Sequence, residues 1–120
     1  MPDCIFCKIA RGEIDSVKVY EDKEFMAFLD VRPLSPGHTL VIPKKHCRWV
    51  WDVEKVGEYF AVVKKIAKAI QKSFNTEEVF SKIIGEEVPH AHIWIFPNPR
   101  KAIGDKNDFP ANAEKIKKEL

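Results

Sequence analysis

His90 and His92 stand two residues apart in the run Val88-Pro89-His90-Ala91-His92-Ile93-Trp94-Ile95-Phe96-Pro97. A neutral imidazole whose far nitrogen is held by an acceptor presents a lone pair that can attack phosphorus. Donors placed around the attacked group must then stabilise the charge that develops. His38 could join the same cluster, and Asp30 could accept from a sugar hydroxyl. The plainer reading of the pair is two hydrogen-bonded core histidines. A second set is Cys4-x-x-Cys7. That spacing suits two thiolate ligands of one tetrahedral zinc, or a redox dithiol. Zinc needs two further ligands, and His46 and His90 are available. The long gap from Cys7 to His46 means that the fold, and no local loop, would assemble such a site. No βαβ pattern follows the dithiol, which weakens the redox reading. Cys47 reads as a packing residue.

These side chains need elements to position them. Residues 88–96 read as a buried strand, apolar, β-branched and aromatic, with Pro89 and Pro97 at its ends. Alternation would put His90, His92, Trp94 and Phe96 on one face and Ala91, Ile93 and Ile95 on the other. Residues 4–10 read as one or two helical turns stopped at Gly12, with Ile5, Phe6 and Ile9 as the apolar side. Residues 17–20 and 25–30 form a hairpin, with Met26, Phe28 and Asp30 on one face. Residues 38–42 are a third strand, presenting His38, Leu40 and Ile42 together. Val56, Tyr59, Phe60, Val63, Ile66, Ile70 and Phe74 recur at helical spacing and predict one long amphipathic helix over 53–74, capped by Asp52 and ended near Asn75. Residues 79–84 are a fourth strand. Residues 110–120 form a short helix with Ala113, Ile116 and Leu120 on one side. The order gives an α+β domain around a five-stranded, mainly antiparallel sheet.

A chain of 120 residues is expected to be a single domain, with its core at about 3–100 and a C-terminal helix at about 110–120. The apolar fraction of 45% and charged fraction of 32% are those of a soluble globular protein. With a net charge of +2 and no basic block except near the C-terminus, nothing suggests nucleic acid or an anionic membrane as the main partner. No signal peptide and no membrane-length apolar run are visible, so a reducing cytoplasm is the expected compartment for the three cysteines.

Taken together, these residues resemble the histidine triad (HIT) family, in its Hint-like branch of nucleotide hydrolases and transferases. The stretches that carry the resemblance are Cys-Ile-Phe-Cys-Lys-Ile at 4–9, Val-Tyr-Glu-Asp at 19–22, Ala-Phe-Leu-Asp at 27–30, Pro-Gly-His-Thr-Leu-Val-Ile-Pro-Lys-Lys-His at 36–46 and Val-Pro-His-Ala-His at 88–92. The resemblance implies that His92 is the nucleophile. It would attack the α-phosphorus of a purine nucleotide conjugate, a phosphoramidate or ester, and hold a nucleotidyl-histidine that water then cleaves. It implies His90 as the first triad histidine and His38 as a histidine packed behind the triad. Ile5, Phe6, Ile9, Phe28 and Val31 would wall the purine, and Asp30 would accept from the ribose hydroxyls. A structural zinc on Cys4, Cys7, His46 and His90, and a homodimer, are implied as well. Trp49 and Trp51 would then be interface anchors, or staples at the helix start.

Two departures qualify the resemblance. Trp94 occupies the third triad position, and an indole nitrogen donates but does not titrate, so it cannot protonate a leaving group. The loop at 81–85 is shorter and lacks the family's asparagine, while Glu86 and Glu87 replace Gln and Ser. Glu87 would sit at the phosphate, where an ionised carboxylate repels an anion. The sequence therefore carries two readings. The first is a hydrolase of reduced turnover. The second is a nucleotide-binding, zinc-stabilised interaction protein that has lost efficient chemistry.

Overall fold

The computed structural model describes residues 4–120, so the expected start of the core at residue 3 lies outside the described residues. The elements are α1 (Ile5–Ala10), β1 (Lys18–Glu21), β2 (Phe25–Leu29), β3 (Thr39–Pro43), a 3₁₀ turn (Val50–Asp52), α2 (Val56–Ser73), β4 (Val79–Lys82), β5 (Ile93–Pro97) and α3 (Phe109–Lys118). The five strands make one sheet in the order β1-β2-β3-β5-β4, with every neighbouring pair antiparallel. This is the expected α+β architecture.

The period-2 alternation of the strands separates two apolar layers. Phe25, Ala27, Leu29, Val41, Ile93 and Ile95 point to one side, where Tyr59, Val62, Ile66, Ala69 and Ile70 of α2 and Ala113 and Ile116 of α3 cover them. The Tyr59 hydroxyl donates to the Val41 carbonyl at 2.7 Å and ties α2 to the central strand. Met26, Phe28, Leu40 and Ile42 point to the other side, where Phe6 and Ile9 of α1 cover them and Trp94 packs against the cluster. Cys4, Cys7 and the histidines belong to this second side, which one short helix covers, whereas Cys47 packs against the α2 layer.

Several expected boundaries move. The fifth strand begins at Ile93 and not at Val88. Pro89 has no N–H to give a ladder, His90 N–H turns back to the Val88 carbonyl, and Ala91 N–H goes to the Cys47 carbonyl at 2.6 Å. Residues 88–92 are thus held by the segment after β3 and not by sheet pairing. Their alternation survives even so: Ala91 lies in the α2 layer, and His90 and His92 contact Phe6 on the opposite side. The fourth strand ends at Lys82, short of Ile84. Asp52 caps no helix, because it belongs to the 3₁₀ turn and Val53 after it is extended. The buried stripe of α2 runs through Tyr59, Val62, Ile66, Ala69 and Ile70, which leaves Val56 and Phe60 facing outward. Leu120 lies beyond the end of α3 and stands exposed, while Ala113 and Ile116 are buried.

Candidate active site and metal centre

The Cys-x-x-Cys pair sits at the start of α1. Cys4 is the N-cap, its Sγ accepting from the Cys7 N–H, and Cys7 lies one turn further on the same side. His46 follows β3, and His90 lies in the bent segment before β5. Four donor atoms, Cys4 Sγ, Cys7 Sγ, His46 Nδ1 and His90 Nδ1, all fall within 4.8 Å of one another. The sulfur–sulfur and sulfur–nitrogen separations run from 3.2 to 3.7 Å. A tetrahedral zinc with bonds of about 2.3 Å to sulfur and about 2.0 Å to nitrogen spaces its ligands by about 3.3–3.8 Å. The donor set therefore fits such a metal. His90 Nε2–H donates to the Pro43 carbonyl at 2.7 Å, which fixes the tautomer and turns the Nδ1 lone pair toward the sulfurs. Burial, and then the Cys4 thiol beside it, push the Cys7 thiol pKa up. Two thiolates this close repel, and a cation between them relieves that cost.

His92 is buried on the same side. Its Nδ1 lies 2.7 Å from the His90 carbonyl oxygen. A carbonyl only accepts, so Nδ1 carries the proton and Nε2 keeps its lone pair. Nε2 has no hydrogen-bond partner among the described residues. The Phe6 ring meets the imidazole edge-on at 5.1 Å and Phe28 at 5.6 Å, so one helix side chain bridges the nucleophile candidate and the apolar wall. Phe6, Ile9 and Phe28 are buried together. Ile5 and Val31 are 49% and 82% exposed. Asp30 follows β2; one carboxylate oxygen accepts from the Arg32 N–H and the other is 3.7 Å from His38 Nε2.

His38 is the buried outlier. The Leu34 N–H donates to its Nδ1 at 3.0 Å, which leaves the proton on Nε2. That Nε2 is buried without a hydrogen-bond partner. Burial lowers the His38 pKa, Asp30 opposes the shift, and the Lys82 ammonium adds to it. The ring lies between Trp94 and Phe96, with centroids 5.2 and 5.1 Å away. Trp94 is half-buried on β5, beside the histidines as its position in the sequence implies.

Sequence reasoning did not find the residues that hold this segment in place. The Pro43 and Cys47 carbonyls accept from His90 and Ala91. Arg48 donates to the Gly85 carbonyl at 2.6 Å and stacks on Trp49 at 3.8 Å. Gly85 has φ +81°, and a Cβ there would lie 2.9 Å from the Trp49 ring. Trp49 therefore packs on the loop before the histidines. Backbone acceptors leave no trace in residue identity, although the glycine was a usable signal. Glu86 and Glu87 are both exposed and make no ion pair with a described residue. Two surface clefts, of about 210 and about 380 Å³, adjoin Phe25 and are lined by neither His92 nor Asp30. No described helix is long and apolar enough to cross a membrane.

Comparison with known proteins places this geometry in context. A HIT domain matches residues 11–101. The adenosine 5'-monophosphoramidase of Schizosaccharomyces pombe is 38% identical over 120 residues, covering 95% of this chain and 90% of that protein. The crystal structure of a Hit-like protein from Bartonella henselae is 39% identical with a TM-score of 0.88, covering 98% of this chain and 97% of that one. A zinc-bound histidine triad family protein from Mycobacterium smegmatis is 26% identical with a TM-score of 0.81, covering 98% of this chain and 92% of that one.

Proposed function

This chain belongs to the HIT family, and from that premise we propose that it hydrolyses a purine nucleotide conjugate at the α-phosphate, with His92 as nucleophile. The observation that carries this reading is the 2.7 Å contact from His92 Nδ1 to the His90 carbonyl, which keeps the Nε2 lone pair free. For a phosphoramidate, Nε2 bonds to phosphorus as the P–N bond to the leaving amine breaks, and the amine takes a proton from solvent. Water then attacks the nucleotidyl-histidine, releases the nucleotide and returns the imidazole. Asp30 accepts from the ribose hydroxyls; Phe6, Phe28, Ile9, Ile5 and Val31 wall the base. Glu87 borders the phosphate.

Cys4, Cys7, His46 and His90 would hold a zinc ion, in a structural role. Bound there, it would pin His90, whose carbonyl orients His92. With four protein ligands it keeps no open position for substrate. A two-fold dimer completes the assembly. One observation favours a second reading, a nucleotide-binding protein of weak activity: Trp94 stands in the third triad position and offers no titratable acid. Turnover of AMP-phosphoramidate by the wild type and by His92→Ala tests the primary reading. The expected result is release of AMP by the wild type and loss of at least about 10³-fold in the variant. Equal rates would remove His92 from the reaction.

A further inference from the structure

We propose that Lys82 is a phosphate-binding residue of this site, supplying from the neighbouring strand the positive charge that the third triad position lacks. The inference rests on the nucleotide reading above and adds to it the residue that selects a charged substrate over a nucleoside.

The sheet register sets the position. Lys82 is paired with Trp94 across the β4–β5 ladder, and Trp94 is paired with Leu40, which is paired with Phe28. Residues directly opposite in a ladder share a face. Phe28, Leu40, Trp94 and Lys82 therefore form one row across the sheet, on the side that carries His38 and His92. The Lys82 ammonium lies 5.7 Å from the centroid of the Trp94 indole, so the side chain leans along the row toward the site. His92 precedes Trp94 by two residues and turns to that same side just before β5 begins, where it meets Phe6.

The surroundings are those of an anion site with its donors unspent. Lys82 forms no ion pair with a described residue, although Glu86 and Glu87 follow within five positions. It is the one Lys or Arg between Val79 and His92. The Trp94 indole N–H has no acceptor among the described residues, and the buried His38 Nε2–H has none either. Three donors, on Lys82, Trp94 and His38, thus belong to one packed group, with the Lys82 ammonium and the His38 ring both beside the Trp94 indole. The Asp30 carboxylate is 3.7 Å from His38 Nε2, beyond hydrogen-bond reach. A phosphate with one oxygen on the lysine ammonium and another on the indole N–H would satisfy two of the three. Lys82 forms no covalent bond in this role; it stabilises the non-bridging oxygens before and during the attack by His92.

A lysine on an edge strand also discourages edge-to-edge pairing, and that duty alone would leave ligand affinity untouched. Calorimetric binding of AMP and of adenosine to the zinc-loaded wild type, Lys82→Met and Lys82→Arg separates the roles. The expected result is that Lys82→Met loses about 10-fold in AMP affinity, with adenosine unchanged, while Lys82→Arg retains the wild-type preference for AMP. The AMP advantage of the wild type should also shrink with added salt. If Lys82→Met binds AMP as the wild type does, the assignment of Lys82 fails and the nucleotide reading stands. Equal losses for AMP and adenosine would mark Lys82 as structural and also overturn the proposal. If the wild type binds neither ligand, the nucleotide reading fails and the role of Lys82 with it.

Discussion

Replacing Cys4 by serine separates the metal from the helix that carries it. Cys4 Sγ has two duties: it accepts from the Cys7 N–H at the start of α1, and it faces Cys7, His46 and His90 in the donor cluster. Serine is a strong N-cap, so Cys4→Ser keeps the first duty and removes the second. Zinc at about 100 times its dissociation constant adds about 2.7 kcal/mol to folding stability. A domain of this size shifts by about 3–5 °C per kcal/mol, so the wild type should melt about 8–13 °C higher with zinc than with a chelator. The assay is thermal unfolding of both proteins under both conditions, together with metal content. Cys4→Ser should melt within about 2 °C of the chelated wild type whether or not zinc is present. Because coordination displaces thiol protons, the zinc-dependent shift of the wild type should also shrink as pH falls. A wild type that carries no metal and melts identically with and without chelator would refute the four-donor argument. A full zinc shift in Cys4→Ser would remove Cys4 from the ligand set.

Other consequences follow from the same geometry. Burial holds the folded-state pKa of His38 below its unfolded value of about 6.5, so the unfolded chain binds more protons as pH falls. The stability that this neutral imidazole contributes is therefore present above about pH 6.5 and lost as pH falls through the folded pKa. The denaturant midpoint of chelator-treated protein should drop between about pH 7.5 and about pH 5.5, and His38→Asn should flatten that slope; an unaltered slope would clear His38. Trp94→His restores a titratable group at the third position and should raise kcat on AMP-phosphoramidate by about 10²-fold, with an unchanged or lower kcat counting against the acid argument. Gly37 has φ +83°, and a Cβ there would lie 2.4 Å from a ring carbon of Phe74. Gly37→Ala should therefore cost about 2–5 kcal/mol, read from the denaturant midpoint, with part of the loss recovered by adding Phe74→Leu.

The faces of the sheet were legible because alternation depends only on residue order. Met26 and Phe28, Leu40 and Ile42, and Trp94 all turn to the side that the sequence assigns them. The boundaries were less legible, since they depend on where backbone groups find partners. Val88–His92 has the composition of a strand, yet Pro89 and the Cys47 carbonyl take it out of the ladder. Asp52 has the chemistry of a cap, but the chain turns once more before α2 begins. The cysteines and histidines could be listed from their types; that Cys4, Cys7, His46 and His90 converge is a product of tertiary structure. Lys82 was visible as a residue of the fourth strand and of an altered loop, with no role attached to it. Its relation to Trp94 comes from the β4–β5 register, which no local pattern records.

The proposed reaction requires that His92 Nε2 become bonded to phosphorus. Wild-type protein mixed with AMP-phosphoramidate and quenched in base within the turnover time should yield, by intact and peptide mass spectrometry, one adenylyl group on the peptide containing His92. His92→Ala should show none. Turnover by the wild type with no adduct on that peptide, or an adduct elsewhere that persists in His92→Ala, would contradict the account.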